Sequence, residues 1–272
     1  MDKTYRDAVL EWRREREESI RRENGWLALS GLFWLKLGRN RLGSDPECEV
    51  LLPKPVPPLI GSLEYNGRTV TLHTEKGQAV NVDGKPMELA ILQPDVSNQP
   101  NYITYGDLRL VVIQRENRMG VRIWDNSREI RRTFPPRTWY EIDEKFRIPA
   151  RYTAYPRPKT AFFPDLAGEK TESTVDGYLE FQFNGRNYRL DVTKEEEEEL
   201  FVRFWDPTSE TETYPTGRYL IVKLEKDNPL FIDFNFAYSP PCAFTDFATC
   251  VFAPDQNHLD FRVTAGETYK KQ

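Results

Sequence analysis

One hairpin limits what this chain can become. Residues Tyr178 to Phe183 alternate, with Leu179, Phe181 and Phe183 apolar and Glu180 and Gln182 polar; Asn184-Gly185 follows, and Tyr188 to Val192 alternates again. Side chains flip faces at each strand residue, so Leu179, Phe181 and Phe183 share one face of a ribbon that must be covered. An Asn-Gly pair suits the two central positions of a tight hairpin, both of which need positive φ. The same dipeptide logic applies at Asn66-Gly67 and Asp83-Gly84. Further strands are expected near 108–113, 119–124, 200–205, 218–224, 230–236 and 258–264, and helical periodicity largely disappears after residue 38. The expected fold class is mainly β, built from antiparallel sheets.

The exception is the beginning. Residues 4–23 read as a helix, with Thr4-Tyr5-Arg6-Asp7 as a capping-box start. Tyr5, Ala8, Val9, Trp12 and Ile20 fall within a fan of about 120° on a helical wheel. Glu17–Arg21 and Glu18–Arg22 stand in the favourable i,i+4 order. Such a stripe clamps across the body of its own chain or meets a second copy, so a homodimer through this helix is one reading. Between 133 and 164, Pro135, Pro136, Pro149, Pro156, Pro158 and Pro164 interrupt strand pairing and suggest a crossover or linker, with a seam near 140. The Glu195–Glu199 run reads as a solvated turn between strands, or as a cation site. The expected organisation is a helical arm over 1–30, a β-sandwich over 31–135 and a C-terminal antiparallel β domain over 136–272.

Net charge is −5 over 272 residues, which removes the motive for binding nucleic acid through a broad basic face. The first residues contain no apolar secretory core, and no run approaches the roughly 18 to 20 apolar residues of a membrane helix. Three cysteines, an odd number, fit reduced thiols in a cytoplasm better than a disulfide framework. The expectation is a soluble cytoplasmic protein that binds neither nucleic acid nor membrane.

Asn40-Arg41-Leu42-Gly43-Ser44-Asp45-Pro46 through Pro53 resembles the opening of a forkhead-associated (FHA) domain, and Val80 to Pro86 resembles that fold's late hairpin. The resemblance covers roughly 33–125 and implies a β-sandwich of the kind that elsewhere reads phosphothreonine. The working residues do not carry over. Ser44 stands where that family has Arg, and Pro57-Pro58-Leu59-Ile60-Gly61 replaces its Ser-Arg-x-x-His-like segment. Paired donors and positive charge, which phosphate recognition needs, are missing there.

Nearly the whole chain resembles the uncharacterised prokaryotic family known as domain of unknown function 1684. The carriers are Gly25 to Leu35, the Gly43-Ser44-Asp45-Pro46 turn, Thr213 to Arg218, and above all Asp233-Phe234-Asn235-Phe236-Ala237-Tyr238-Ser239-Pro240-Pro241-Cys242 to Thr245 with Ala248-Thr249-Cys250. Asn257 and Ala265-Gly266-Glu267 complete the pattern. The chain departs at Phe236 for Arg, Ser239 for Asn and Val251 for Pro. The resemblance implies no activity, since the family has none to transfer.

Candidate chemistry concentrates in the last third. On a strand over 230–236, Asp233 and Asn235 project from one face about 7 Å apart. They could orient a small polar ligand, Asp233 could act as a base, or both could satisfy backbone groups of the irregular Tyr238-Ser-Pro-Pro-Cys242 loop. Cys242, Cys250 and His258 are spaced eight residues apart each time. Zinc sites bring ligands in tight pairs, so no metal is expected. A Cys–His nucleophilic pair and plain buried cysteines both remain open. Arg218 with Tyr214 could clamp a carboxylate or phosphate, or could lock its own loop by pairing with Asp206, Glu212 or Asp233.

The favoured function is a ligand- or protein-binding protein, without cofactor, whose polar pocket uses Tyr214, Arg218, Asp233, Asn235 and Tyr238. The alternative is a hydrolase using Asp233 or Cys242 with His258. A third reading, an FHA-like module docking an unphosphorylated partner, requires an exposed apolar patch near Pro55–Ile60.

Overall fold

The structure is a computed structural model that describes residues 3–115, 117–164, 170–224 and 229–270. Its contacts divide the chain into two compact units, Ile20–Phe134 and Met1–Ser19 with Pro135–Gln272. Strands dominate both, and no helix among the described residues is long and apolar enough to cross a membrane.

In the unit Ile20–Phe134 the strands are β1 (Leu29–Trp34), β2 (Gly38–Gly43), β3 (Val50–Leu51), β4 (Gly61–Tyr65), β5 (Val70–Thr74), β6 (Asn81–Val82), β7 (Lys85–Pro86), β8 (Leu89–Leu92), β9 (Tyr102–Tyr105), β10 (Leu108–Arg115) and β11 (Arg118–Asp125). They form two sheets, ordered β1-β11-β10-β9-β6-β7 and β3-β2-β4-β5-β8. Leu42, Leu63 and Leu72 from one sheet meet Ile103, Leu110, Val112 and Val121 from the other, which makes the unit a β-sandwich.

Asp83 and Gly84 have φ of 50° and 78°, the paired positive values that a two-residue hairpin needs. The Asn66-Gly67 turn differs from the expected form. Only Gly67 has positive φ, and the connection runs over four residues because the Asn66 side chain accepts from the amides of Arg68 and Thr69. In the segment Pro55–Ile60, Pro55 and Pro58 are exposed, Val56, Pro57 and Leu59 are half-buried and Ile60 is buried. Exposed apolar side chains also lie on β8, at Leu89 and Ile91.

The second unit holds helix α1 (Lys3–Arg21) through Ser19, with β12 (Thr138–Trp139), β13 (Arg147–Pro164), β14 (Lys170–Phe183), β15 (Arg186–Glu196), β16 (Glu199–Phe204), β17 (Arg218–Lys223), β18 (Phe231–Asp233) and β19 (Glu267–Thr268). The helix starts at Lys3, so Thr4 lies inside its first turn rather than capping it. Six antiparallel strands run in the order β17-β16-β15-β14-β13-β18. Tyr219 on β17 and Tyr238, just past β18, then exchange backbone hydrogen bonds of 2.8 and 2.9 Å. That single pair brings the ring of strands nearly to closure as a barrel. Its interior is filled by Phe146, Leu179, Leu190, Val202, Phe204 and Phe234.

Three expectations change here. The proline-rich stretch is mostly one strand, β13, and not a linker. Pro156 and Pro158 fall within the register shift between Ala154 and Lys159, where no ladder bond is lost to a missing N–H. Residues 258–264 form no strand. Leu259 and Val263 still point into the core, but the Val263 amide donates to the Asp206 carboxylate, leaving His258 in an isolated bridge with Trp205. The strand expected over 230–236 stops at Asp233, where a 3₁₀ turn (Phe234–Phe236) begins. The acidic run behaves as read, with Glu195 to Glu198 exposed around the turn from β15 to β16.

Candidate functional site

Beyond the Tyr219–Tyr238 pair, β17 and β18 are not laddered to each other, and α1 lies over the gap. Tyr5, Ala8, Trp12 and Arg16 recur at helical spacing and form one wall of a groove of about 670 Å³. Arg147, Phe231, Asp233, Phe236 and Tyr238 form the facing wall, and Ile221 and Lys223 on β17 form the floor. The helix is anchored by aromatic contacts: the Trp12 ring packs edge-on against Phe236 and Trp139, at 5.2 and 5.7 Å between centroids. The Arg16 guanidinium sits 3.8 Å from the centre of the Tyr238 ring. Arg147 lies between the rings of Tyr5 and Phe231, at 4.9 and 4.4 Å.

Asp233 is the hub of the polar end. Because the chain turns at residue 234 instead of continuing as a strand, Asp233 Oδ1 accepts from both the backbone amide and the Nδ2 of Asn235, each at 3.0 Å. Its Oδ2 accepts from the Tyr5 hydroxyl at 2.8 Å, with Arg147 Nε 4.0 Å away. Asn235 is fully buried; its amide group also donates to the Asp143 carbonyl and the Tyr5 hydroxyl, while its Oδ1 accepts from the Asp143 amide. Burial raises the Asp233 carboxyl above its ordinary value against those hydrogen bonds. Burial, followed by the charge of Asp233, pushes the Tyr5 hydroxyl far up. Both carboxylate oxygens are thus engaged in holding the helix and the turn, an arrangement that positions the walls of the groove.

The sequence-predicted site residues separate into four places. Asp233, Asn235 and Tyr238 come together at the groove, with Asn235 behind Asp233. Arg218 is fully buried elsewhere, bonded to Asp206 at 2.9 Å, to the Val263 carbonyl at 2.9 Å and to the Ala265 carbonyl. Asp206 in turn accepts from the amides of Thr208 and Val263. Of the partners considered for Arg218, the loop-locking Asp206 is the one it has. Tyr214 donates to the Cys242 carbonyl at 3.0 Å and packs against Tyr269. Cys242 and Cys250 are buried together. His258 is exposed and lies against the Trp205 ring at 5.3 Å; among the described residues no hydrogen bond joins it to Cys242 or Asp233. No group of three or more His, Cys, Asp or Glu that could hold a metal ion occurs among the described residues.

Sequence reasoning missed the groove's other wall. Tyr5 and Trp12 belonged to a recognised apolar stripe, but nothing in the local pattern said that it would stop short of filling the space beneath it. Arg147 pairs with Asp233 across β13 and β18 and its guanidinium lies over the Phe231 ring, a long-range juxtaposition invisible without the register. In the sandwich, the Gly43-Ser44 turn is held by the chain itself. Ser44 Oγ donates to the Val56 carbonyl at 2.6 Å, and a side chain at Gly43 would meet the Pro58 carbonyl at 2.0 Å.

The sequence model of a family described as "Protein of unknown function (DUF1684)" matches residues 132–268. No curated protein matches the chain. Among solved structures, it is similar to the solution structure of an uncharacterized protein from gene locus rrnAC0354 of Haloarcula marismortui, at 28% identity and a TM-score of 0.42, covering 51% of this chain and 78% of that one. It is also similar to the FhaA FHA domain crystallised with the intracellular domain of Rv3910, at 15% identity and a TM-score of 0.25, covering 34% of this chain and 96% of that one.

Proposed function

The chain belongs to the family described as protein of unknown function (DUF1684), and from that premise we propose that it is a soluble cytoplasmic binding protein for a small organic anion with an aromatic or aliphatic body. The site is the groove between α1 and the barrel seam. The observation that carries this reading is its lining: aromatic walls from Trp12, Phe231, Phe236 and Tyr238, with Arg16, Arg147 and Lys223 around them. Three cations, Arg16, Arg147 and Lys223, face two carboxylates, Asp233 at 4.0 Å from Arg147 and Glu199 at 4.0 Å from Lys223, so the formal balance of charge facing the groove is positive by one. Its volume falls within the roughly 300–1,000 Å³ of small-molecule sites. The sandwich serves in this reading as a scaffold without phosphothreonine binding.

The test uses an anionic naphthalene sulfonate dye as probe, titrated into the full chain and read by dye fluorescence. Saturable binding is expected, weakened by Arg147→Gln and by Ile221→Trp, which removes a cation and fills the floor respectively. Arg186→Gln, on the exposed pair with Asp260, serves as control. Binding that all three variants leave equal, or that a neutral analogue reproduces, would sink the proposal.

A further inference from the structure

The segment Pro240–Val251 holds two of the three cysteines in a small cluster of its own. Cys242, Cys250 and Ala248 are buried together, with Tyr214 packed against them. The Cys242 backbone amide donates to the Cys250 sulfur at 3.2 Å, which sets the two buried cysteines side by side. Around them stand hydroxyls. Tyr214 Oη reaches the Cys242 carbonyl at 3.0 Å, and Tyr219 Oη reaches the Val251 carbonyl at 3.0 Å. Apart from the short Pro241–Ala243 turn and isolated bridges, the stretch between the cysteines carries no regular structure, so no ladder resists a small movement of one sulfur toward the other.

The alternatives are weaker. A thiol pair can serve a metal, but a closed site needs further ligands, and no three-ligand group exists among the described residues. A Cys–His nucleophile needs a base in reach, and His258 is bonded to neither sulfur. What remains is dithiol chemistry.

We propose that Cys242 and Cys250 form an oxidant-responsive pair that a peroxide converts into an intrachain disulfide. The Cys242 thiolate attacks one peroxide oxygen and the O–O bond breaks. Cys242 becomes a sulfenic acid, and the other oxygen leaves as water or an alcohol after taking up a proton. The Cys250 sulfur then attacks the Cys242 sulfur, the S–O bond breaks and a second water leaves. Two thiols lose two electrons and two protons in all, and the peroxide is reduced by the same amount. The roles follow from the surroundings. The hydrogen bond from Cys250 holds the Cys242 thiol below its ordinary value, helped by Tyr214 and Thr216 against burial. The same hydrogen bond, with burial, pushes the Cys250 thiol well up. In the order proposed Cys242 attacks and Cys250 resolves, and the Cys250 variant below tests that order. Cys48 is a built-in reference: it is buried alone in the other unit, with its thiol raised by burial and donating to the Pro58 carbonyl.

The test exposes the native full-length chain to hydrogen peroxide, then denatures and alkylates it for peptide mass spectrometry without reduction. No Lys or Arg separates the two cysteines, so one tryptic peptide carries both. The expected result is loss of both alkylation sites in that peptide, with a mass two hydrogens below the reduced form, while Cys48 still alkylates. A reductant restores both sites. In Cys250→Ser, Cys242 stops at a sulfenic acid that a cyclic diketone traps. Oxidation of Cys48 ahead of the pair, or passage of wild-type Cys242 to sulfinic acid without a disulfide, would overturn the proposal. The wild-type readings stand even if the Cys250 variant fails to fold.

Discussion

The two units bury very different material. In the sandwich, the buried polar side chains among the described residues are Asn40 and Ser62, and Asn40 is consumed by the backbone of its own turn through Lys36, Gly38 and Leu63. In the barrel unit, Asp206 with Arg218, Glu267 with Arg137, Arg203, Asn235 and Asn257 all lie inside. The difference follows the backbone. Ladders satisfy the sandwich's amides and carbonyls, so its core can be apolar. The barrel's last third is irregular from Phe234 onward, and its orphan backbone groups must find side chains. Asn257 bonds the Asp191 and Arg203 carbonyls, Asp206 takes the Val263 amide, and Glu267 takes the Ser239 amide. Buried charges of this kind are weak stabilisers but expensive to break. They fix the route of a chain that no sheet holds.

Removing one member of the buried pair gives the largest expected effect. Asp206→Ala leaves the Arg218 guanidinium buried and unpaired and should cost the barrel unit about 4 kcal/mol in denaturant unfolding. A loss below about 1 kcal/mol would break the comparison. In the sandwich the equivalent injury is a cavity: Leu63→Ala should cost about 3 kcal/mol, read from that unit's own transition.

The pH dependence comes next, and its sign differs between two carboxylates of the barrel unit. Burial raises Glu267 above the ordinary carboxyl value, despite Arg137 at 3.1 Å. The folded state then holds its proton more tightly than the unfolded chain. The resulting stability is complete below the ordinary value of about 4.3 and is lost as pH rises through the raised one. The Tyr140 hydroxyl lowers Glu212, with Arg262 adding to the effect, so its contribution is present above the ordinary value and is lost as pH falls through the lowered one. Carboxyl-carbon NMR titration should show the two midpoints on opposite sides of the ordinary value. The smallest effect is expected on the sandwich surface. Arg39 and Glu75 pair at 3.4 Å with both side chains largely exposed, and Glu75→Gln should change stability by less than about 1 kcal/mol in thermal melts.

What the sequence made legible was local. The Asn184-Gly185 hairpin and the apolar faces beside it need only neighbours in the chain, and the helix stripe needs only periodicity. Asp233, Asn235 and Tyr238 were recognisable as polar groups entering an irregular segment. Arg218 was recognisable as a charge needing a partner, but the choice between a ligand and Asp206 depends on a contact twelve residues away across a loop. The strand expected at 258–264 failed because alternation reports burial, and a core-facing segment can alternate without pairing. The groove was beyond reach altogether, since its walls meet through residues more than two hundred positions apart, Tyr5 with Asp233, Trp12 with Phe236 and Arg16 with Tyr238.

The seam of the barrel also matters to other chains. An unpaired strand edge is a template on which a foreign strand can add, and natural sheets conceal such edges. Here α1 lies along the β17–β18 gap, where Tyr219 and Tyr238 supply the only ladder rung among the described residues, so the wall of the groove doubles as an edge guard. The groove is the width left between the guard and the edge. Detaching the helix would bare that edge to intermolecular strand addition, and the Tyr5–Asp233 hydrogen bond and the Trp12 ring contacts hold the helix against it.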